Sequence, residues 1–374
     1  MIIRQFSLKQ TSRYPLERDY DMNQIAFFDI ETTGFAADSS YLYLIGCAYY
    51  KEGSFQLIQW FSEGIKEEAE LITAFFGFIK DYTVLLHYNG ASFDLPYLMK
   101  KCALLGLNYT FGHLTSIDLY KRIYPYKRIF KLKSFKQKSI ENFLNISRTD
   151  TFGGGDLIEV YQSYLGKRYL EKLRSKRLPD EVSKLPSEAD MLLQALLLHN
   201  EDDIRGLIHI CPILGYTDIF EKPIRILQAA VEDGFFHIQF EISANLPAPV
   251  SFGNDLVKVT AAGTKASMTV VIYEGELKYF YENYKDYYYL PAEDSVVHKS
   301  IAEYVDKAYR VKAKPANCYI RKQGIFAPQY EPVITPCFRL EHQAKLSFLE
   351  IHTDFLLQED TLEVYVAHIL KHVI

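Results

Sequence analysis

Paired cysteines, long apolar runs and a net positive charge are all missing from this 374-residue sequence. Its five cysteines are scattered and never spaced as Cys-x-x-Cys, which argues against a disulfide framework and a zinc site. No apolar run approaches the roughly 18 residues of a membrane span, and the beginning of the chain lacks the apolar core of a secretion signal. We therefore expect a soluble protein with no membrane partner, in a reducing cytoplasm.

The composition is that of a globular protein, with 48% apolar and 24% charged residues, which excludes a mainly disordered or fibrous chain. At roughly 150 residues per domain, the length predicts about two domains. We place an irregular, polar lead-in at residues 1–24, a first domain at 25–215 and a second domain at 225–374.

Apolar runs and helical periodicities predict the fold class of the first domain. Three apolar runs, at 24–30, 41–50 and 54–61, indicate a three-stranded meander. Strands and helices then alternate as far as a long amphipathic helix over 185–210, which begins at Ser187 or Asp190. This order predicts an α/β domain with a mixed sheet covered by helices.

The sequence of the second domain is richer in patterns typical of β-strands. The segment 268–281 predicts a hairpin that turns at Glu274 and Gly275. Helices are expected over 298–310 and 358–374. Residues 225–374 therefore predict a smaller α+β domain.

Basic residues are concentrated in one stretch of the first domain. The first 215 residues carry 26 basic and 26 acidic side chains, so the net charge of −5 falls on the rest of the chain. Residues 121–139 hold eight basic side chains, no acid and several aromatic rings. Such a stretch could follow a phosphate backbone while its rings stack on bases, with Lys127, Arg128 and Lys131 as candidate contacts. A solvated loop and helix face is the alternative.

Asp29 and Glu31 stand two residues apart at the end of the first apolar run, in "FFDIETTGF". Side chains two apart on a strand share one face of the sheet. Two neighbouring carboxylates repel each other unless a cation neutralises them, and their oxygens suit Mg²⁺ or Mn²⁺. The pair predicts a divalent metal site, with a solvated pair at a strand end as the alternative.

Two further motifs carry carboxylates at structured positions. In "HYNGASFDLPYL", Asn89 ends a strand and Asp94 falls in the first turn of the next helix, where the helix dipole also favours an acid. In the long helix, His199 and Asp203 are one turn apart and share a face. A structural His–Asp pair is the alternative there, and Glu201 and Asp202 are expected to be solvated.

The three motifs follow one another as Asp29-x-Glu31-Thr-Thr33-Gly34, Asn89-x-x-x-Phe93-Asp94 and His199-x-x-x-Asp203. This order resembles the DEDD superfamily of 3′–5′ exonucleases, also called DnaQ-like, which have the ribonuclease H-like fold. The third motif is similar to the Tyr-Asn-x-x-Asp of the YprB-type ribonuclease H-like domain. The resemblance covers about residues 24–215.

The resemblance implies a role for each matching residue. Four carboxylates would hold two divalent cations, Mg²⁺ or Mn²⁺, which activate a water and stabilise the departing 3′ oxygen. These candidate ligands are Asp29, Glu31, Asp94 and Asp203. The candidate contacts to the terminal nucleotide are Thr33, Gly34, Asn89 and Phe93. His199 is the candidate general base, although it stands at the four-residue interval that family members with Tyr use, whereas those with His use five.

We therefore expect a metal-dependent 3′–5′ exonuclease that hydrolyses phosphodiester bonds at nucleic acid 3′ ends, with single-stranded DNA as substrate. An RNA-directed exonuclease of the same chemistry is one alternative. A catalytically silent module that binds nucleic acid or a protein partner is another, although none of the four acids is missing from this chain.

Overall fold

A computed structural model of the protein describes residues 1–9, 12–149, 154–177 and 186–374. The contacts within the chain divide it into two units, which are Met1–Lys127 with Leu132–Leu214, and Arg128–Lys131 with Gly215–Ile374. In these described ranges, no helix combines the length and apolarity needed to cross a membrane.

The first unit is built on a six-stranded mixed sheet. Its strands are β1 (Ile2–Leu8), β2 (Ile25–Thr32), β3 (Leu42–Lys51), β4 (Ser54–Phe61), β5 (Val84–His87) and β6 (Thr115–Asp118). They lie in the order β1-β4-β3-β2-β5-β6, with β2, β5 and β6 parallel and the other neighbours antiparallel. Because parallel strands end at the same edge, the chain segments that leave β2, β5 and β6 meet there.

Helices cover both faces of this sheet. The helices of this unit are α1 (Glu68–Ile79), α2 (Asp94–Leu104), α3 (Leu119–Ile123), α5 (Gln137–Phe143), α6 (Gly154–Arg177) and α7 (Glu188–Ile210), whereas the short helix α4 (Lys127–Phe130) lies where the chain passes to the second unit. Phe28 and Cys47 of the sheet pack with Phe75 of α1 in one apolar core, whereas Leu44 packs with Leu197 of α7 in another. The predicted mixed sheet with flanking helices is confirmed.

Helix α7 begins at one of its two predicted positions. Ser187 is the N-cap, and its hydroxyl accepts a hydrogen bond from the backbone N–H of Asp190 at 3.1 Å. The Asp190 carboxylate accepts in return from the backbone N–H of Ser187 at 3.1 Å. This reciprocal cap satisfies two N–H groups that would otherwise lack partners. Residue 185, where the predicted segment began, lies outside the described residues.

The expectation of an irregular lead-in was wrong for Ile2–Leu8. These residues form β1, which pairs with β4 at the edge of the sheet. Their burial alternates, so that Ile2, Arg4, Phe6 and Leu8 are the more buried side chains. Arg4 lies on the more buried face and Ile3 on the exposed face, so the sequence does not alternate regularly between apolar and polar residues.

The second unit is smaller and rich in sheet, as predicted. Its strands are β7 (Arg225–Glu232), β8 (Phe235–Gly253), β9 (Val257–Val271), β10 (Tyr273–Phe280), β11 (Tyr287–Leu290), β12 (Ser295–His298), β13 (Val311–Lys312), β14 (Tyr319–Gln329) and β15 (Ser347–Glu350). They form sheets in the orders β7-β8-β9, β10-β14-β15 and β12-β11-β13. Its helices are α8 (Gly215–Glu221), α9 (Lys299–Ala302), α10 (Thr353–Leu356) and α11 (Glu359–His372).

Two local predictions for this unit were wrong. The segment 268–281 is not a hairpin, because β9 and β10 belong to different sheets and the Glu274–Gly275 pair lies within β10, opposite β14. The expected helix over 298–310 is reduced to α9 and a single 3₁₀ turn at Lys307–Tyr309. In the first segment the pairing of β10 with β14 overrides a local hairpin pattern. In the second, Asp306 caps the separate 3₁₀ turn by accepting a hydrogen bond from the backbone N–H of Ala308 at 2.9 Å.

Candidate functional site

The four acids that the sequence singled out converge at the edge where β2 and β5 end. Asp29 and Glu31 lie on β2, Asp94 is the first residue of α2, and Asp203 lies on α7. Burial raises the pKa of Asp29 well above its ordinary value, and the charges of Asp203, Asp94 and Glu31 raise it further. The other three carboxylates are therefore all within electrostatic reach of Asp29.

The loop that carries Asp94 is held by a residue that the sequence analysis missed. Asp118, at the end of β6, accepts hydrogen bonds from the backbone N–H groups of Asn89 at 2.8 Å and Ala91 at 3.2 Å. Asn89 has a φ of +58°, a left-handed conformation that asparagine tolerates better than most residues. The position of Asp118, a carboxylate at the end of the strand next to β5, could have identified it from the sequence.

A buried amide supports Asp29 from helix α7. The Asn200 side chain donates to Asp29 Oδ2 at 3.3 Å and accepts from Gln59 Nε2 at 3.0 Å. Gly46 lies opposite Asp29 on β3, and a Cβ at that position would overlap the Asn200 amide. The motif contained Asn200, but no role was assigned to it because its partners come from β2 and β4.

His199 lies between two of the acids. Its Nε2 is 3.1 Å from Asp203 Oδ2 and 3.7 Å from Glu31 Oε1, and the ring is buried. Ligand atoms of these three residues all lie within 4.8 Å of one another. The histidine could therefore contact a bound cation or a water held by it, as well as Asp203.

The other oxygen of Asp203 accepts from an arginine. Arg148 Nη2 pairs with Asp203 Oδ1, and Arg148 Nε donates to Glu141 Oε2 at 2.6 Å. Burial alone would raise the pKa of Asp203, but the hydrogen bonds and charges of His199 and Arg148 lower it below its ordinary value. Asp203 is thus held ionised in a buried site.

Glu201 and Asp202 are not solvated, contrary to expectation. Both are buried, and each has a partner. Glu201 Oε1 accepts from Arg205 Nε at 2.8 Å, and Asp202 Oδ2 accepts from the backbone N–H of Thr149 at 2.8 Å. The loop before residue 150 covers this side of α7, which a helical pattern alone cannot reveal.

A cleft of about 660 Å³ opens beside Asp29 and Asp203 within the first unit. Neighbouring rings on its surface have centroids 6.0 Å apart for Tyr88 and Tyr120, 5.1 Å for Tyr120 and Tyr124, and 5.8 Å for Tyr124 and Phe135. Its lysines are Lys127, Lys133 and Lys136, and Asn89 also lines it. The cleft thus combines aromatic faces and positive charge next to the acids.

The three basic residues predicted to contact substrate are separated. Lys127 lines the cleft, and its Nζ lies 4.7 Å from the centroid of the Tyr124 ring. Arg128 and Lys131 belong to the second unit, where they line a separate cavity of about 390 Å³ with residues of β8 and β9. Arg128 Nη1 also donates to the carbonyl oxygen of Ile374 at 3.2 Å.

The remaining predicted contacts lie on the two loops that flank the acids. The Thr33 hydroxyl accepts from the backbone N–H of Tyr41 at 2.8 Å, which closes the loop that contains Gly34. Phe93 packs edge-to-face against Phe35 with centroids 5.8 Å apart. Phe35 was not predicted, and its ring is 92% exposed beside that of Phe93.

The donor set fits a hard divalent cation. Burial raises the pKa of Asp94 to about 7, and the charges of Asp118 and Asp203 also raise it. Together with the raised pKa of Asp29, this indicates more negative charge than the protein partners of the site neutralise. Carboxylate oxygens are the ligands that Mg²⁺ and Mn²⁺ prefer.

One comparison with known proteins identifies a superfamily. The family model RNase_H_2, of the RNase_H superfamily, matches residues 26–214. A DNA polymerase of Thermococcus aggregans is 26% identical over 207 residues, which are 51% of this chain and 11% of the polymerase. A DNA polymerase of Pyrococcus glycovorans is 35% identical over 107 residues, which are 26% of this chain and 14% of the polymerase. The family B DNA polymerase of Pyrobaculum calidifontis aligns with a TM-score of 0.31 and 15% identity, covering 70% of this chain and 35% of that one.

The charge in the site predicts a pH-dependent stability of the metal-free protein. Because burial raises the pKa of Asp94 from 3.8 to about 7, the folded state favours its protonated form. The associated stability is present at low pH and is lost as pH rises through about 7. In EDTA, Asp94→Asn should melt roughly 5 °C above wild type at pH 8 but close to it at pH 4, near the ordinary pKa of 3.8. Scanning calorimetry checks this.

Asp81→Asn is the control, because Asp81 is exposed and precedes β5 at the opposite edge of the sheet. This variant should follow the wild-type pH dependence. An Asp94→Asn melting curve parallel to wild type at every pH would contradict the electrostatic account of the site.

Proposed function

The chain belongs to the RNase H superfamily, and from this premise we propose that its first unit is a metal-dependent 3′–5′ exonuclease acting on single-stranded DNA. One observation carries the proposal, the convergence of Asp29, Glu31, Asp94 and Asp203 beside an aromatic, lysine-lined cleft. The order of the three motifs supports the DEDD arrangement and the YprB-type variety within it.

The four carboxylates would hold two divalent cations, Mg²⁺ or Mn²⁺. When bound, such cations lower the pKa of an attacking water and stabilise a departing oxygen. The protein itself fixes the ligands: Asn200 orients Asp29, and His199 orients Asp203. Side chains held in place before substrate arrives need little reorganisation during the reaction.

The cleft is suited to a single strand rather than to a duplex groove. Exposed aromatic faces stack on bases without regard to sequence, and lysines attract the phosphate backbone. Phe35 and Phe93 would stack on the terminal base, beside Thr33 and Gly34, and Asn89 would contact the strand where it passes the cleft. The matched relatives are DNA polymerases, which favours DNA over RNA.

Replacing any one of the four acids should abolish hydrolysis. Asp29→Asn, Glu31→Gln, Asp94→Asn and Asp203→Asn should each lower turnover at least about 10²-fold, because each removes a charged ligand. The assay uses 5′-labelled DNA and RNA strands of one sequence with Mg²⁺, Mn²⁺ or EDTA. We expect a ladder of products shortened from the 3′ end, which forms faster with DNA than with RNA and is absent in EDTA.

Asp81→Asn serves again as control and should keep wild-type turnover. A strand with a blocked 3′ end should resist, and its cleavage would exclude the 3′–5′ direction. A faster reaction on the RNA strand would assign the RNA alternative. Near-wild-type turnover in all four acid variants, or no hydrolysis by wild type with either metal, would contradict the proposed function.

The lysines of the cleft should control substrate binding. Replacing Lys127, Lys133 and Lys136 together by glutamine should weaken binding of a labelled DNA strand. The slope of log affinity against log salt concentration should fall by the amount expected for about three lost phosphate contacts. Fluorescence anisotropy between low and physiological salt measures the slope. Arg128→Gln with Lys131→Gln is the matched pair from the same basic stretch, and should leave the slope unchanged. An equal loss of DNA affinity and salt dependence in this double variant would show that Arg128 and Lys131 also contact the DNA.

His199 should contribute a proton-transfer role that alanine cannot replace. His199→Ala should lose roughly 10²–10⁴-fold in turnover if the imidazole accepts a proton from the attacking water. His199→Tyr restores the Tyr-x-x-x-Asp form and should recover part of this loss with a shifted pH profile, since phenol titrates near ~10 rather than near ~6.5. Turnover against pH for wild type and both variants decides. A His199→Ala profile identical to wild type would reduce His199 to packing.

A further inference from the structure

A single arginine bridges the candidate metal site and a carboxylate outside it. Arg148 contacts Asp203 through Nη2, and it donates to Glu141 Oε2 through Nε at 2.6 Å and to Glu141 Oε1 through Nη2 at 3.2 Å. Its side chain is only 11% exposed, and Glu141 is fully buried. No motif contains either residue, and the proposed reaction does not require them.

Local packing holds this bridge in place. The Gln137 amide donates both to Glu141 Oε1 at 3.0 Å and to the backbone carbonyl of Asp203 at 2.8 Å. Gly206, one turn after Asp203, leaves the space that Glu141 occupies, because a Cβ there would overlap Glu141 Oε1. Helix α5 is therefore fitted against α7 around the arginine.

The bridge places the positive charge of Arg148 against Asp203 Oδ1, a carboxylate oxygen that a divalent cation would need as a ligand. Asp203 Oδ1 accepts from Arg148, and Asp203 Oδ2 lies 3.1 Å from His199 Nε2. A guanidinium and a divalent cation repel each other, and both seek the same carboxylate lone pairs. Glu141 offers the arginine a second acceptor that lies outside the four acids.

We infer that Arg148 is a built-in counter-cation of Asp203, which stabilises the site without metal and weakens metal binding by competing for Asp203 Oδ1. In this arrangement Glu141 retains the guanidinium when a divalent cation takes Asp203. The inference rests on the proposed function in one respect, that Asp203 is a metal ligand. It makes Arg148 a positioning residue that sets the affinity of the site for metal.

The affinity for Mn²⁺ tests this directly, without nucleic acid. Arg148→Gln in the full chain should bind Mn²⁺ on the order of tenfold more tightly than wild type by titration calorimetry. In EDTA the same variant should melt at a lower temperature, because Asp203 and Glu141 lose a buried partner. Arg148→Lys, which keeps the charge but not the fork, should fall between the two in Mn²⁺ affinity.

Arg205→Gln is the matched control for a general loss of positive charge. Arg205 lies two residues from Asp203 but pairs with Glu201, so its loss should leave Mn²⁺ affinity close to wild type. Glu141→Gln should weaken Mn²⁺ binding, since Arg148 then has Asp203 as its remaining carboxylate partner. In the Arg148→Gln background, Glu141→Gln should no longer change the Mn²⁺ affinity. If Glu141 acted only through its negative charge, the double variant would still bind Mn²⁺ more weakly than Arg148→Gln.

The outcomes separate this inference from the proposed function. Mn²⁺ affinity in Arg148→Gln that equals or falls below wild type would overturn the inference, as would wild-type protein that binds no Mn²⁺. Tighter binding in Arg148→Gln together with an independent Glu141→Gln effect would also overturn the role of Glu141. Absence of hydrolysis contradicts the proposed function alone, because the calorimetric comparison does not use turnover.

Discussion

Four carboxylates crowded into a buried edge of the sheet are the constraint on which the rest of the first unit depends. Burial and mutual repulsion raise the pKa values of Asp29 and Asp94, so the site is costly to the metal-free fold. The compensation comes from neighbours rather than from solvent. Asn200 donates to Asp29, while Arg148 contacts Asp203. A site that is costly when empty favours a bound divalent cation, since the cation removes the repulsion.

Helix α7 supplies two of the neighbours that support the acids, His199 and Asn200, which point in different directions. His199 and Asp203 share one face, whereas Asn200 is rotated toward β2 and is fixed there by Gln59 of β4. The glycine at position 46 makes room for that amide. The rotation of α7 about its own axis is thus coupled to the sheet register. A change in packing beneath Asn200 would move Asp203 as well.

Contacts between residues that are close in sequence could be predicted, whereas contacts between distant segments of the chain could not. The spacing of Asp29 and Glu31 follows from strand geometry, and that of His199 and Asp203 from helix geometry. Arg148 pairs with Glu141 in the preceding helix, but its contact with Asp203 depends on how α5 packs on α7. The same limit explains the fold errors, since β1 is identified only by its pairing with β4.

The residues of the basic stretch are neighbours in sequence, but they do not all line the same cavity. Lys127 and Arg128 are adjacent, yet the first lines the cleft and the second belongs to the other unit. The chain leaves the first unit for four residues and then returns with Lys133 and Lys136 in the cleft. A strand of nucleic acid in the cleft would thus meet lysines from both sides of this excursion. Of the eight basic residues in 121–139, Lys127, Lys133 and Lys136 are the ones that line the cleft together with the aromatic rings.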